Sequence, residues 1–146
     1  MSDAVVQQPD PGDWLNWRRT LDGWGYSPLD EVDRTNVGEL QLAWSWGLEP
    51  GVSQTTPLVH DGVMYVANPG HVVHALDARN GDLLWEYRRE IEDAARRPGA
   101  QMRSLAMYQD LIILNTFDAH VVCLNAPTGD VRWGTVVMPD AVPYTL

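Results

Sequence analysis

Three observations predict an all-β chain, a partial β-propeller of about two four-stranded blades plus an orphan outer strand. They are a 48-residue internal repeat, four short β-rich runs inside the first copy, and a tryptophan near the close of each copy. The repeat keeps one register without a gap. Leu76 falls on Leu124, Ala78 on Ala126, Gly81 on Gly129, Asp82 on Asp130 and Trp85 on Trp133, each 48 positions apart. A period of this size marks solenoids, propellers and arrays, whose units hide their apolar faces only against a neighbour.

Residues 1–39 read as an N-terminal arm. Within it "DRTNVGEL" (33–40) predicts a short helical turn with Asp33 or Thr35 as N-cap. Trp14, Trp17 and Trp24 are expected to cover the flank of the blades, since a tryptophan is a large apolar body with one donor. Residues 40–49, with "LQLAWSW", read as the outer strand of a ring-closing blade; Trp44 and Trp46, two apart, share one face. Many propellers close their ring with a blade assembled from both chain ends, which would supply the missing inner strands.

The first complete blade spans 52–90. Its runs "TPLVH", "VMYVAN", "VVHALDA" and "LLWEYR" are separated by the turn signals "DG", "NPG" and "NGD". Asn80 and Gly81 are both expected at positive φ in the last hairpin. Trp85, four residues after Gly81, is expected to pack on a neighbouring blade. Residues 91–103 form a connector over one face, its charges at helical spacing; 104–138 is the second blade; 139–146 reads as the truncated start of a third. Two blades and a lone strand cannot close a ring, so the chain reads as a fragment.

Twenty acidic residues against ten basic give a formal net charge of −10, which repels phosphate backbones and argues against nucleic-acid binding. No apolar run approaches the roughly 18 residues a membrane span needs, and the N-terminus shows no secretory signal pattern. Cys123, the single cysteine, allows no internal disulfide and reads as a small buried hydrophobe. His71 and His74, three apart, would point to opposite faces of a strand. His60 and His120 lie at turn-like or strand-edge positions, so no metal set is expected from the histidines. Asp77, beside a turn, suits structural hydrogen bonding.

The segments "YSPLDEVDRTNVGELQLAWSW" and "TPLVHDGVMYVANPGHVVHALDARNGDLLWEYRRE" resemble the N-terminal part of the quinoprotein alcohol dehydrogenases, from about Trp14 to the end of the chain. The resemblance implies an eight-bladed propeller in the periplasm, holding pyrroloquinoline quinone (PQQ) with calcium or a lanthanide. It also implies oxidation of an alcohol to an aldehyde or ketone, with electrons passed to cytochrome c or ubiquinone. The remaining blades of the full-length chain would be the fragment's partners. The cofactor-touching glutamate of that family corresponds to Gln54, an amide without the charge, and its quinone-contacting arginine corresponds to Arg103. The adjacent cysteine pair of many members is missing from "RRPGAQMR" (96–103). The family's metal ligands and catalytic aspartate would lie beyond Leu146. No catalytic or metal residue is expected here, and the chain alone is expected to be inactive. A non-catalytic propeller scaffold, like the lipoprotein that helps assemble outer-membrane barrels, is the alternative. A ring of blades from several chains is a third.

Overall fold

A computed structural model describes residues 2–91, 102–103 and 105–137. Eight strands form two sheets. The first holds β1 (Leu58–His60), β2 (Val63–Asn68), β3 (Val72–Asp77) and β4 (Leu83–Arg88); the second holds β5 (Ala106–Tyr108), β6 (Leu111–Asn115), β7 (His120–Asn125) and β8 (Val131–Val136). Each is an antiparallel meander in chain order. The two-blade reading therefore holds strand by strand.

Local chemistry repeats with the sequence. Gly81 donates to the Asp77 carbonyl at 2.8 Å and Gly129 to the Asn125 carbonyl at 2.8 Å. Both glycines take positive φ (78° and 77°), which closes the third hairpin of each blade. Asn80 does not share that conformation. Its side-chain oxygen instead accepts the Asp82 N–H at 3.0 Å, so one left-handed residue suffices for the turn. Immediately after each turn the ladder slips by one residue, between Ala75 and Leu76 and between Cys123 and Leu124. Leu84 and Arg132 are the extra residues, and such a bulge raises local twist. Asp77 holds Arg79 through its backbone N–H and guanidinium, the structural role expected of it.

The core lies between the two sheets. Tyr65, Ala67, Val73 and Ala75 meet Ile112, Leu114, Val122 and Leu124 across it, with Leu15 from the arm, Leu58 and Met107. Cys123 is fully buried, as expected of a small hydrophobe, and burial pushes its thiol pKa up. The arm is tied to β1 by two backbone bonds between Trp14 and Val59 (2.8 and 2.9 Å) and by buried Asp13, which takes His60 Nδ1 at 2.7 Å. A five-residue helix, Asp3–Gln7, opens the arm without a side-chain cap; no strong signal in the sequence marks it.

Elsewhere the arm departs from expectation. The helical turn is a single 3-10 turn, Val37–Glu39, whose N-cap is Asn36; Asp33 instead receives the Thr35 N–H and hydroxyl, both at 2.6 Å. Residues 40–49 form no β-ladder among the described residues, as befits a strand whose expected partners would come from the far end of the full-length chain. Trp17 and Trp24 cover no flank: they are 62% and 78% exposed, since no blade lies beneath them here. His71 falls in the β2–β3 turn at φ 62° rather than in a strand, so the opposite-faces expectation does not apply to it. Residues 92–101, most of the expected connector, and 138–146, which take in the expected third-blade start at 139–146, lie outside the described residues.

Candidate functional site

The antiparallel order brings five pieces of chain to one end of the strands. These are the approach to β1, the β2–β3 turn, the end of β4, the approach to β5, and the β6–β7 turn. The segments that carry Gln54 and Arg103, 49 residues apart in sequence, meet here. Ser53 and Met102 form an isolated parallel bridge, and the Gln54 N–H donates to the Met102 carbonyl at 3.4 Å. Both side chains are exposed. Gly51 packs on Pro69 so tightly that an added Cβ would lie 2.7 Å from the proline Cβ. The approach to β1 is thus seated on the β2–β3 turn.

At the same end of the strands the two blades are clamped by charge. Arg89 donates from Nε and Nη2 to the Asp118 carboxylate at 3.2 and 2.6 Å, and its backbone N–H reaches the His71 carbonyl at 3.2 Å. The Thr116 hydroxyl also donates to Asp118, and His120 Nδ1 lies 3.1 Å from the carboxylate. Burial pushes the Asp118 carboxyl up. Hydrogen bonds from Arg89 and Thr116, with the charges of Arg89 and His120, outweigh that and hold it at about 2. Burial drives His71 down to about 4, opposed by Asp118 and assisted by Arg89, so the ring is neutral near pH 7. Its Nε2 accepts the Phe117 N–H at 3.3 Å, and the two rings meet edge-on at 4.2 Å. Nothing in the sequence pairs Arg89 with Asp118; only the packing of one sheet on the other does.

The tryptophans divide sharply. Trp44 Nε1 donates to the Ala78 carbonyl at 3.1 Å and Trp85 Nε1 to the Ala126 carbonyl at 2.9 Å. Each ring lies on the turn glycine of the next repeat. An added Cβ on Gly81 would come within 2.8 Å of Trp44, and one on Gly129 within 2.7 Å of Trp85. Trp46 bonds to His74 Nδ1 at 3.1 Å. Trp133 has no such seat among the described residues and is 45% exposed.

This end of the sheets presents an exposed amide and an exposed guanidinium on two segments joined by a backbone bridge. An amide and a guanidinium can each donate to carbonyl or carboxylate oxygens. No histidine, cysteine or carboxylate group of three that could hold a metal occurs among the described residues. An open concavity of about 330 Å³, lined by Asp61, Gly62, Val63, Asp77, Arg79 and Leu84, lies at the opposite end of the strands and belongs to the turns there.

The sequence matches, over residues 14–135, the family described as PQQ glucose/ethanol/alcohol dehydrogenase, β-propeller domain. It is 36% identical over 142 residues to the dehydrogenase subunit of the quinone alcohol dehydrogenase of Gluconacetobacter polyoxogenes, covering 94% of this chain and 19% of that one. It is 37% identical to the 1-butanol dehydrogenase (cytochrome c) of Thauera butanivorans, covering 92% of this chain and 20% of that one. The solved quinohemoprotein alcohol dehydrogenase ADHIIG of Pseudomonas putida superposes with a TM-score of 0.86 at 34% identity, over 96% of this chain and 21% of that one. The chain thus spans about a fifth of the length of these relatives.

Proposed function

Because the chain belongs to the PQQ glucose/ethanol/alcohol dehydrogenase β-propeller family, we propose that it forms two blades of a PQQ-dependent enzyme. That enzyme oxidises an alcohol to an aldehyde or ketone and passes electrons to cytochrome c or ubiquinone in the periplasm. The observation that carries this reading is identity above one third across nearly the whole chain. PQQ, when bound, supplies the two-electron acceptor. Arg103 would hold it through guanidinium donors and stabilise negative charge on its oxygens. Gln54 would contribute a donor and an acceptor without charge. The Ser53–Met102 bridge supports this pairing, since it sets the two residues on one edge.

Calcium or a lanthanide, and the catalytic base, are assigned to the remaining blades, so the 146-residue chain alone should be inactive. Gly81 already seats Trp44, so the Trp133 of a second copy would find that seat filled. This weighs against a ring assembled from several chains.

The test is to translate the coding DNA for about 1.5 kilobases past the Leu146 codon, a span set by the roughly 40 to 50 residues per blade. Further tryptophan-closed repeats carrying an in-register glutamate, asparagine and aspartate are expected. A stop codon with no repeats in any frame would withdraw the enzyme reading and leave the scaffold alternative. Turnover of an alcohol by the purified 146-residue chain with PQQ, calcium and an artificial acceptor would overturn the assignment of the base to the other blades.

A further inference from the structure

We propose that His74 latches residues 44–49 onto the first blade, and that a proton taken up on its Nδ1 opens this joint while the joint between the two blades stays closed. His74 lies within β3 and is buried. Its Nδ1 faces Trp46 Nε1 at 3.1 Å and Asn68 Nδ2 at 3.0 Å. An indole nitrogen only donates. The Asn68 amide is oriented by its own neighbours: Nδ2 donates to the Val66 carbonyl at 3.3 Å and Oδ1 accepts the Glu49 N–H at 3.4 Å. His74 Nδ1 therefore presents a lone pair, and Nε2 carries the hydrogen that points to Glu86 Oε2 at 2.8 Å. The Trp46 and His74 rings meet edge-on, 5.4 Å apart.

Among the described residues, four polar contacts hold residues 44–49. They are Trp44 to Ala78, Trp46 to His74, the Glu49 N–H to Asn68, and the Glu49 carboxylate to Arg88 at 2.6 Å. A proton on Nδ1 turns the shared acceptor into a donor facing two donors. Asn68 can answer only by turning its oxygen to the ring, which withdraws that oxygen from Glu49. One proton thus removes two of the four contacts.

Charged groups lie around the ring. Glu86 on β4 lies against Nε2, and Arg88 lies beside Glu86. Glu49, on the segment itself, pairs with Arg88. One repeat further on, the positions of His74, Asn68 and Glu86 are Val122, Thr116 and Gly134. Those positions carry no titratable group. The joint between the blades relies on Trp85, on the Arg89–Asp118 pair, whose carboxylate stays ionised down to about pH 2, and on His71, which accepts the Phe117 N–H and is driven by burial down to about 4.

The test uses the 146-residue chain with nitrogen-15 labelled tryptophan and does not depend on the dehydrogenase reading. Between pH 8 and pH 5, after correction for intrinsic exchange, protection of the Trp46 indole N–H is expected to fall about tenfold while that of Trp85 holds. Glu86→Gln keeps an acceptor for Nε2–H without the charge and should move the midpoint to lower pH. His74→Val should leave Trp46 unprotected at every pH. Unchanged Trp46 protection, joint loss of Trp46 and Trp85, or an unmoved midpoint in Glu86→Gln would each overturn the proposal.

Discussion

Trp85 and Trp133 occupy the same position of the same repeat, and their surroundings differ completely. Trp85 has its ring on Gly129 and its N–H on the Ala126 carbonyl, whereas Trp133 lies on a strand whose every residue is exposed. The first blade is covered on both sides, by residues 44–49 and by the second blade, and β3 is buried along nearly its whole length. The second blade is covered on one side only. A blade's residues are thus prepared for burial by sequence, while the burial itself comes from whichever neighbour is present.

The largest test of that contrast is truncation of each tryptophan. Trp85→Ala removes a half-buried packed ring and a part-buried hydrogen bond, and should cost about 3 kcal/mol in denaturant unfolding. Trp133→Ala should cost less than about 1 kcal/mol. Equal losses would show that position in the repeat, not contact, sets the energy.

A smaller difference is expected between two turn glycines of similar φ. Gly62→Ala, at φ 74° with open space around it, should lose only the roughly 1 to 2 kcal/mol of left-handed strain. Gly129→Ala adds a collision with the Trp85 ring and should lose about 3 kcal/mol. If Trp85→Ala is introduced first, the two glycine substitutions should become alike, and a double-mutant cycle measures this directly.

The smallest effect belongs to the charged clamp. Asp118→Asn should cost about 1 kcal/mol near neutrality, because the pair is partly exposed. The native carboxyl is held at about 2, below its unfolded value of about 3.9, so its contribution is full above pH 4. It is lost as the pH falls toward 2. Wild type and variant should therefore converge in urea midpoints between pH 4 and 2. Midpoints that stay apart down to pH 2 would show that the Asp118 carboxylate does not control the clamp.

Parts of the fold were plainly legible in the residues. The 48-residue register placed both sheets, and Gly81 and Gly129 marked the hairpins whose backbone needs left-handed φ. The spacing from glycine to tryptophan placed Trp85 on the outer strand. The candidate site was legible only through family resemblance, because nothing local distinguishes Gln54 or Arg103 from solvated loop residues. Asn80 misled because asparagine tolerates positive φ but here serves as an acceptor for Asp82. Trp17 and Trp24 misled because apolar size signals an intention to be covered, not the presence of a cover.

The sequence alone determined what depends on neighbours along the chain. That comprises the strand count, the meander order, the turn glycines, and the positions where a ring and a donor would be offered. Only the tertiary structure decided which offers were taken up. Trp46 finds His74 across 28 residues, Trp44 finds Ala78 across 34, and Trp85 finds Ala126 across 41. It also decided that Gln54 lies against Met102 and that Arg89 meets Asp118. The physical reason is range: φ/ψ preference and strand alternation act within a few residues. A hydrogen bond between two sheets exists only once both have packed and excluded the water that would otherwise satisfy each partner.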